Sequence, residues 1–102
     1  MPADIDQDIA GLPGADLVDQ GLRDCRNEIL SEYSLLVLIA SPRLRHLQIE
    51  VPLLSAAIAP NLCPYEHQLY DLIQHRGGYS LYNSLLARIS SFASCLERER
   101  GV

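Results

Sequence analysis

Cys63, His67, Asp71 and His75 recur every fourth residue, a spacing that sets four potential metal ligands along one stripe of a helix. Adjacent members of such a stripe can share an ion, but at 1.5 Å per residue its ends stand about 18 Å apart. The stripe also lies opposite the apolar face of Tyr65, Leu69, Leu72 and Ile73, so it looks into solvent. One helix cannot close a site alone; a second chain would have to complete it. No H-E-x-x-H or paired E-x-x-H pattern supplies further ligands. The stripe is read as a solvated polar face, with no metal ligand and no cofactor assigned.

Nucleophilic catalysis needs an activated Ser or Cys beside a base on a shaped turn. None of "GYSLYN", "SSFASC" or "NLCPYE" has the glycine-flanked elbow that exposes a nucleophile. Cys63, before Pro64 at a helix start with His67 one turn on, is the best thiol candidate, because a helix N-terminus lowers thiol pKa. Gly77-Gly78 follows a helix and caps it, so no phosphate cradle is present. Nothing places two carboxylates in one apolar cleft. The expectation is a protein without catalytic residues.

Two surfaces point to partners instead. Arg43, Arg45 and His46 form a compact basic cluster inside residues 33 to 49, which contain no acid. Solvated charges beside a core are the plain reading; an acidic peptide segment, such as the chain's own N-terminal region from a second copy, is the partner reading, and a phosphate backbone is a third. The last helix turns Asn83, Ser84, Ala87, Ser90, Ser91 and Ser94 outward with Arg88 as the one charge before its end. Exposed helices normally carry charge there, and small side chains admit a second helix closely. Arg43, Arg45, His46, Ser84, Ala87 and Ser91 are therefore the candidate partner-binding residues.

These side chains must be positioned by helices. Leu17, Val18, Gly21, Leu22 and Cys25 share one face from about Pro13 to Asn27, with Asp19, Arg23 and Asp24 pointing elsewhere. In "SEYSLLVLIA", Ser31 is an N-cap, and the apolar run from Leu35 to Ala40 covers every direction of a helix that must be buried all round. A buried strand is the competing assignment, but no second strand-like run exists to pair with it. Pro42 ends that helix and starts a short one, "SPRLRHLQ", with Ser41 as its N-cap and Leu44 and Leu47 inward. Pro52 and Pro60 bracket a possible short apolar helix in a span, Val51 to Tyr65, without charge; that span is core or interface. A helix opens at Pro64 and stops at Gly77-Gly78, and a last one runs from about Ser80 to Arg100 with Leu81, Leu85, Ile89, Phe92 and Leu96 inward. The fold class is all-α, a compact bundle of four to five short helices.

At 102 residues and 48% hydrophobic content the chain suits one globular domain, expected over residues 13–102 behind a flexible acidic lead-in over 1–12. Three widely spaced cysteines suggest reduced thiols. No apolar run reaches the roughly 20 residues of a membrane helix, and an acidic N-terminus without a lipidation box predicts a cytoplasmic protein. The net charge is −5, with seven acids before residue 29; that weighs against nucleic acid. The expected function is a non-catalytic protein-interaction or accessory module that self-associates as a homo-oligomer. The alternative is a small DNA-associated regulator using the Arg43/Arg45/His46 helix.

Overall fold

A helix that is apolar on every side needs neighbours on every side, and the arrangement follows from that demand. The computed structural model describes residues 11–55 and 57–101. It contains α1 (Ala15–Arg26), α2 (Glu32–Ile39), α3 (Ser41–His46), α4 (Tyr65–Ile73) and α5 (Gly78–Glu99), with no strand among the described residues. The all-helical bundle expected from periodicity is what the chain forms. Leu35, Leu36, Val37 and Leu38 of α2 are fully buried, and α2 packs against α1, α3, α4 and α5 in turn. Phe92, Leu69, Ile73, Leu22 and Leu44 complete the core around it. No helix among the described residues is long and apolar enough to cross a membrane. Of the lead-in, residues 1–10 lie outside the described residues; Leu12 already packs on the core.

α1 reaches α2 by losing a side chain at the crossing. A Cβ on Gly21 would overlap the Tyr33 carbonyl oxygen and lie 2.7 Å from Val37 Cγ1. Gly14, the N-cap of α1, has φ +79°, and a Cβ there would sit 2.7 Å from the Arg88 carbonyl oxygen of α5. Glycine at these two positions lets α1 lie against both neighbours.

The start of α2 is half-buried up to Tyr33 and buried from Ser34, and its first amides need acceptors. Ser31 caps it: its Oγ accepts from the Ser34 amide at 3.1 Å, while the Ser31 amide donates to Ser34 Oγ at 2.8 Å, a capping box built with serine where glutamate is usual. Ser31 Oγ in turn donates to Asp24 Oδ2 at 2.5 Å, and Gln20 Nε2 donates to Oδ1 at 2.8 Å. Asp24, expected to point away from the core, is therefore buried. Its carboxylate is matched by donors from α1 and the α2 cap, which removes the penalty for burial.

Helix ends account for the other differences from expectation. α2 and α3 are joined through Ala40 alone, whose carbonyl accepts from the Leu44 amide at 3.0 Å; Ala40, not Ser41, is the N-cap, and Ser41 is buried in the first turn. Pro42 sits there at no hydrogen-bond cost because first-turn amides have no intrahelical acceptor. Both α1 and α3 end in Schellman closures: Ile29 N donates to Asp24 O and Glu28 N to Cys25 O, and likewise Ile49 N to Leu44 O and Gln48 N to Arg45 O. The left-handed residue is Glu28 (φ 58°) in one and Gln48 (φ 68°) in the other, where glycine is customary. Between Pro52 and Pro60 the described residues form turns and bends, not the short helix the prolines suggest.

Two substitutions should have opposite signs in urea or guanidinium unfolding. Gly21→Ala forces a methyl into the α1/α2 crossing and should destabilise by about 1–3 kcal/mol. Gln48→Gly relieves the left-handed backbone at the end of α3 and should stabilise by up to about 1 kcal/mol, after the added flexibility of the unfolded chain is subtracted.

Candidate functional site

The basic cluster on α3 is divided by the tertiary structure. Arg43 points along α5 and closes its fork on Glu97, with Nη2 to Oε1 at 2.7 Å and Nε to Oε2 at 3.3 Å, and it also donates to Ser94 Oγ at 3.2 Å. The Arg43 hydrogen bonds hold the Glu97 carboxyl below the ordinary glutamate range, and His46 adds a smaller contribution of the same sign. Arg100 reaches back from the end of α5 to the Leu47 carbonyl. α3 is thus pinned to a helix more than fifty residues away in sequence, and Arg43 serves that junction. Arg45 is exposed and donates to the Val51 carbonyl at 3.4 Å, and His46 is exposed beside it.

Ser84, Ala87 and Ser91 are exposed on the outer side of α5, together with Asn83, Arg88 and Ser90. The inward set is as expected: Leu85, Ile89, Phe92, Ala93 and Leu96 are buried, and Leu81 is half-buried. On α4, His67, Asp71 and His75 are exposed and Cys63 is half-buried. No group of three His, Cys, Asp or Glu side chains converges on a metal-sized point among the described residues.

A different surface stands out by its chemistry. Leu53 and Leu62 are each 78% exposed, Ile58 53% and Ile29 48%, with Leu30 and Leu72 also in solvent. Hydrogen bonds place these residues on adjoining segments. The Glu28 carboxylate accepts from both the amide and the hydroxyl of Ser55 at 3.0 and 2.7 Å, which ties the end of α1 to the strap after α3. Gln68 of α4 is buried, with its carboxamide used on the same strap: Oε1 accepts from Ile58 N at 2.9 Å, and Nε2 donates to the Ile58 and Cys63 carbonyls at 2.8 Å each. Arg76 and Glu32, 2.7 Å apart, join the end of α4 to the start of α2. The uncharged span from Val51 to Tyr65 is divided: Val51 and Leu54 enter the core, whereas Leu53, Ile58 and Leu62 are exposed. Leu72, assigned by periodicity to the inner face of α4, stands at its edge, 40% exposed. The lack of charge over this span was the signal in the sequence. The Gln68 clamp had none, because a lone glutamine in an amphipathic helix reads as surface.

The three thiols are free and differ in setting. Cys25 faces the α1/α2 contact, where its Sγ lies 3.8 Å from the Ser34 carbonyl oxygen; burial pushes its pKa up to about 11, with Asp24 and Glu28 adding in the same sense. A maleimide at neutral pH should therefore modify Cys63 and Cys95 in the folded protein and leave Cys25 untouched until denaturant is added. Mass spectrometry of the labelled peptides checks this, and labelling of Cys25 in the native state would contradict the packing described.

Against this geometry, comparison with protein-family models, with curated proteins and with solved structures finds no match in any of the three.

Proposed function

We propose that this chain is a non-catalytic helical interaction module that pairs with a second copy of itself through the face formed by Ile29, Leu30, Leu53, Ile58 and Leu72. The observation that carries the reading is that these side chains are exposed on segments anchored by hydrogen bonds, part-buried ones from Gln68 to Ile58 and Cys63 and an exposed pair from Ser55 to one Glu28 carboxylate oxygen. An anchored apolar face loses little conformational freedom when it is covered, so nearly all of the hydrophobic gain is available for binding. Exposed patches of large aliphatic groups on otherwise well-packed domains mark interaction sites.

A second copy is the partner best matched to this chemistry. The strap has no charge from Val51 to Tyr65, so it offers no long-range attraction to an acidic or basic partner. A two-fold axis through such a face sets each apolar group against its own counterpart, which is the isologous arrangement of most small homo-oligomers. Ser84, Ala87 and Ser91 form a second exposed stripe, where small side chains would admit a further helix. For nucleic acid, α3 offers Arg45 and His46 but not the Arg43 fork, which is occupied by Glu97; the module reading is the one with more support.

Sedimentation velocity or light scattering over about two decades of concentration tests the proposal. The average mass should rise toward that of a dimer, and Leu53→Asp and Ile58→Asp should each return the chain to a monomer without loss of helix by circular dichroism. Gln68→Ala should weaken association by about tenfold or more, because the strap would have to be ordered on binding. A strict monomer at the highest concentration would remove self-association from the reading.

A further inference from the structure

Where α4 turns into α5, three of the chain's five tyrosines meet. The rings of Tyr79 and Tyr82 have centroids 6.3 Å apart with planes at 88°, and those of Tyr70 and Tyr82 are 5.9 Å apart at 83°. Tyr70 and Tyr79 close the triangle at 4.8 Å and 37°. The chain reversal at Gly77-Gly78 brings the outer flank of α4 against the first turn of α5, and the spacing of Tyr79 and Tyr82 puts both on the same side of that turn. Together with Glu66 and Asp71, and with Cys63 and His67 at one side, the three rings line an open cavity of about 440 Å³.

Three aromatic rings and two carboxylates of this cavity favour positive charge, with His67 its one basic side chain. Aromatic faces are negative, and rings at right angles present more than one face to the same volume. Neither Glu66 nor Asp71 has an Arg or His partner within ion-pair distance among the described residues, and no Arg lines the cavity. Tyr79 is 69% exposed, so a large ring is left in water at the edge of the space. A small metal ion would need several oxygen or nitrogen ligands converging on one point, and no such group of three exists among the described residues. An organic ammonium needs no such convergence, because its charge is spread over methyl or methylene groups that rest against ring faces.

We propose that the Tyr70/Tyr79/Tyr82 corner binds an organic ammonium group, quaternary or methylated, with the tyrosine faces forming the contact and Glu66 and Asp71 attracting the charge. The proposal does not rest on the self-association reading, although Asp71 of the cavity adjoins Leu72 of that face along α4. The chain has no tryptophan, and three of its five tyrosines lie at this corner, so tyrosine fluorescence responds to binding there over a background from Tyr33 and Tyr65.

The test is a titration of the full chain with tetramethylammonium chloride, with choline, and with a short peptide carrying trimethyl-lysine, against sodium chloride at matched ionic strength. A saturable change is expected, with a dissociation constant on the order of 1 mM for the small cations. The uncharged tert-butyl isostere of choline should bind at least about tenfold more weakly. Tyr79→Leu should cost about fivefold or more while Tyr79→Phe stays within about twofold, since the ring face and not the hydroxyl makes the contact. Both variants should keep the helical circular dichroism of the parent, because this ring is largely in solvent. The double variant Glu66→Gln, Asp71→Asn should weaken binding most at low salt. A peptide about tenfold tighter than choline would identify a protein side chain as the source of the ammonium; comparable affinity would identify a free small ammonium compound. Equal binding of the neutral isostere, an affinity unchanged by Tyr79→Leu, or no saturable signal with any of the three cations up to about 50 mM would each overturn the proposal.

Discussion

The middle of helix α2, Leu35 to Leu38, has no side that can face water, and the rest of the molecule is arranged around that constraint. Leu35, Leu36, Val37 and Leu38 point in successive directions around its axis and are all buried, so a single covering layer cannot suffice. α1 crosses it at Gly21, where the missing side chain lets the Tyr33 carbonyl and Val37 approach the α1 backbone. α3 continues from it through one residue, and α4 and α5 close the remaining sides. An eight-residue helix is marginal in isolation, so α2 is held as a helix by the neighbours that it organises.

Enclosing a helix also draws its ends partly out of water, and the hydrogen bonding at those ends explains features that hydrophobic periodicity does not reach. The first amides of α2 are met by Ser31 and Ser34, and the cap is extended into α1 through Asp24 and Gln20. One connected network thus caps α2, satisfies a buried carboxylate and links the first two helices. The Schellman closures at Glu28 and Gln48 serve the last carbonyls of α1 and α3 in the same way, at the cost of a left-handed residue that is not glycine. Glu28 then has a second role, since its carboxylate holds the strap at Ser55.

The surfaces that could meet a partner arise where regular structure gives out. The strap between α3 and α4 cannot hide all of its apolar side chains, because it covers one end of a core that is already closed by helices. Val51 and Leu54 take the inward places, and Leu53, Ile58 and Leu62 are left outside. Gln68 holds the Ile58 and Cys63 backbone by using its side chain as a backbone substitute, donating to two carbonyls and accepting from one amide, while Glu28 holds Ser55 beside Leu53 and Leu54. The tyrosine corner has a comparable origin: a reversal at Gly77, where a Cβ would meet the Leu81 side chain, and at Gly78, whose φ is +53°, brings the flanks of two helices together.

By itself the sequence determined the helices and the faces they bury. The 3.6-residue period placed Leu17, Val18, Leu22 and Cys25 inward on α1 and Leu85, Ile89, Phe92 and Leu96 inward on α5, and a serine before an all-apolar run marked the start of α2. These are local properties, set by angles around one axis and by hydrogen bonds within a few residues. What only the tertiary structure decided was the company each side chain keeps. Asp24 is buried because Ser31 comes to it, Arg43 is closed because Glu97 lies 54 positions on, and Tyr70 meets Tyr79 and Tyr82 because the chain reverses between them. Such pairings depend on how helices cross. That geometry is set by the volumes packed between them, and periodicity along one helix carries no information about the volumes supplied by another.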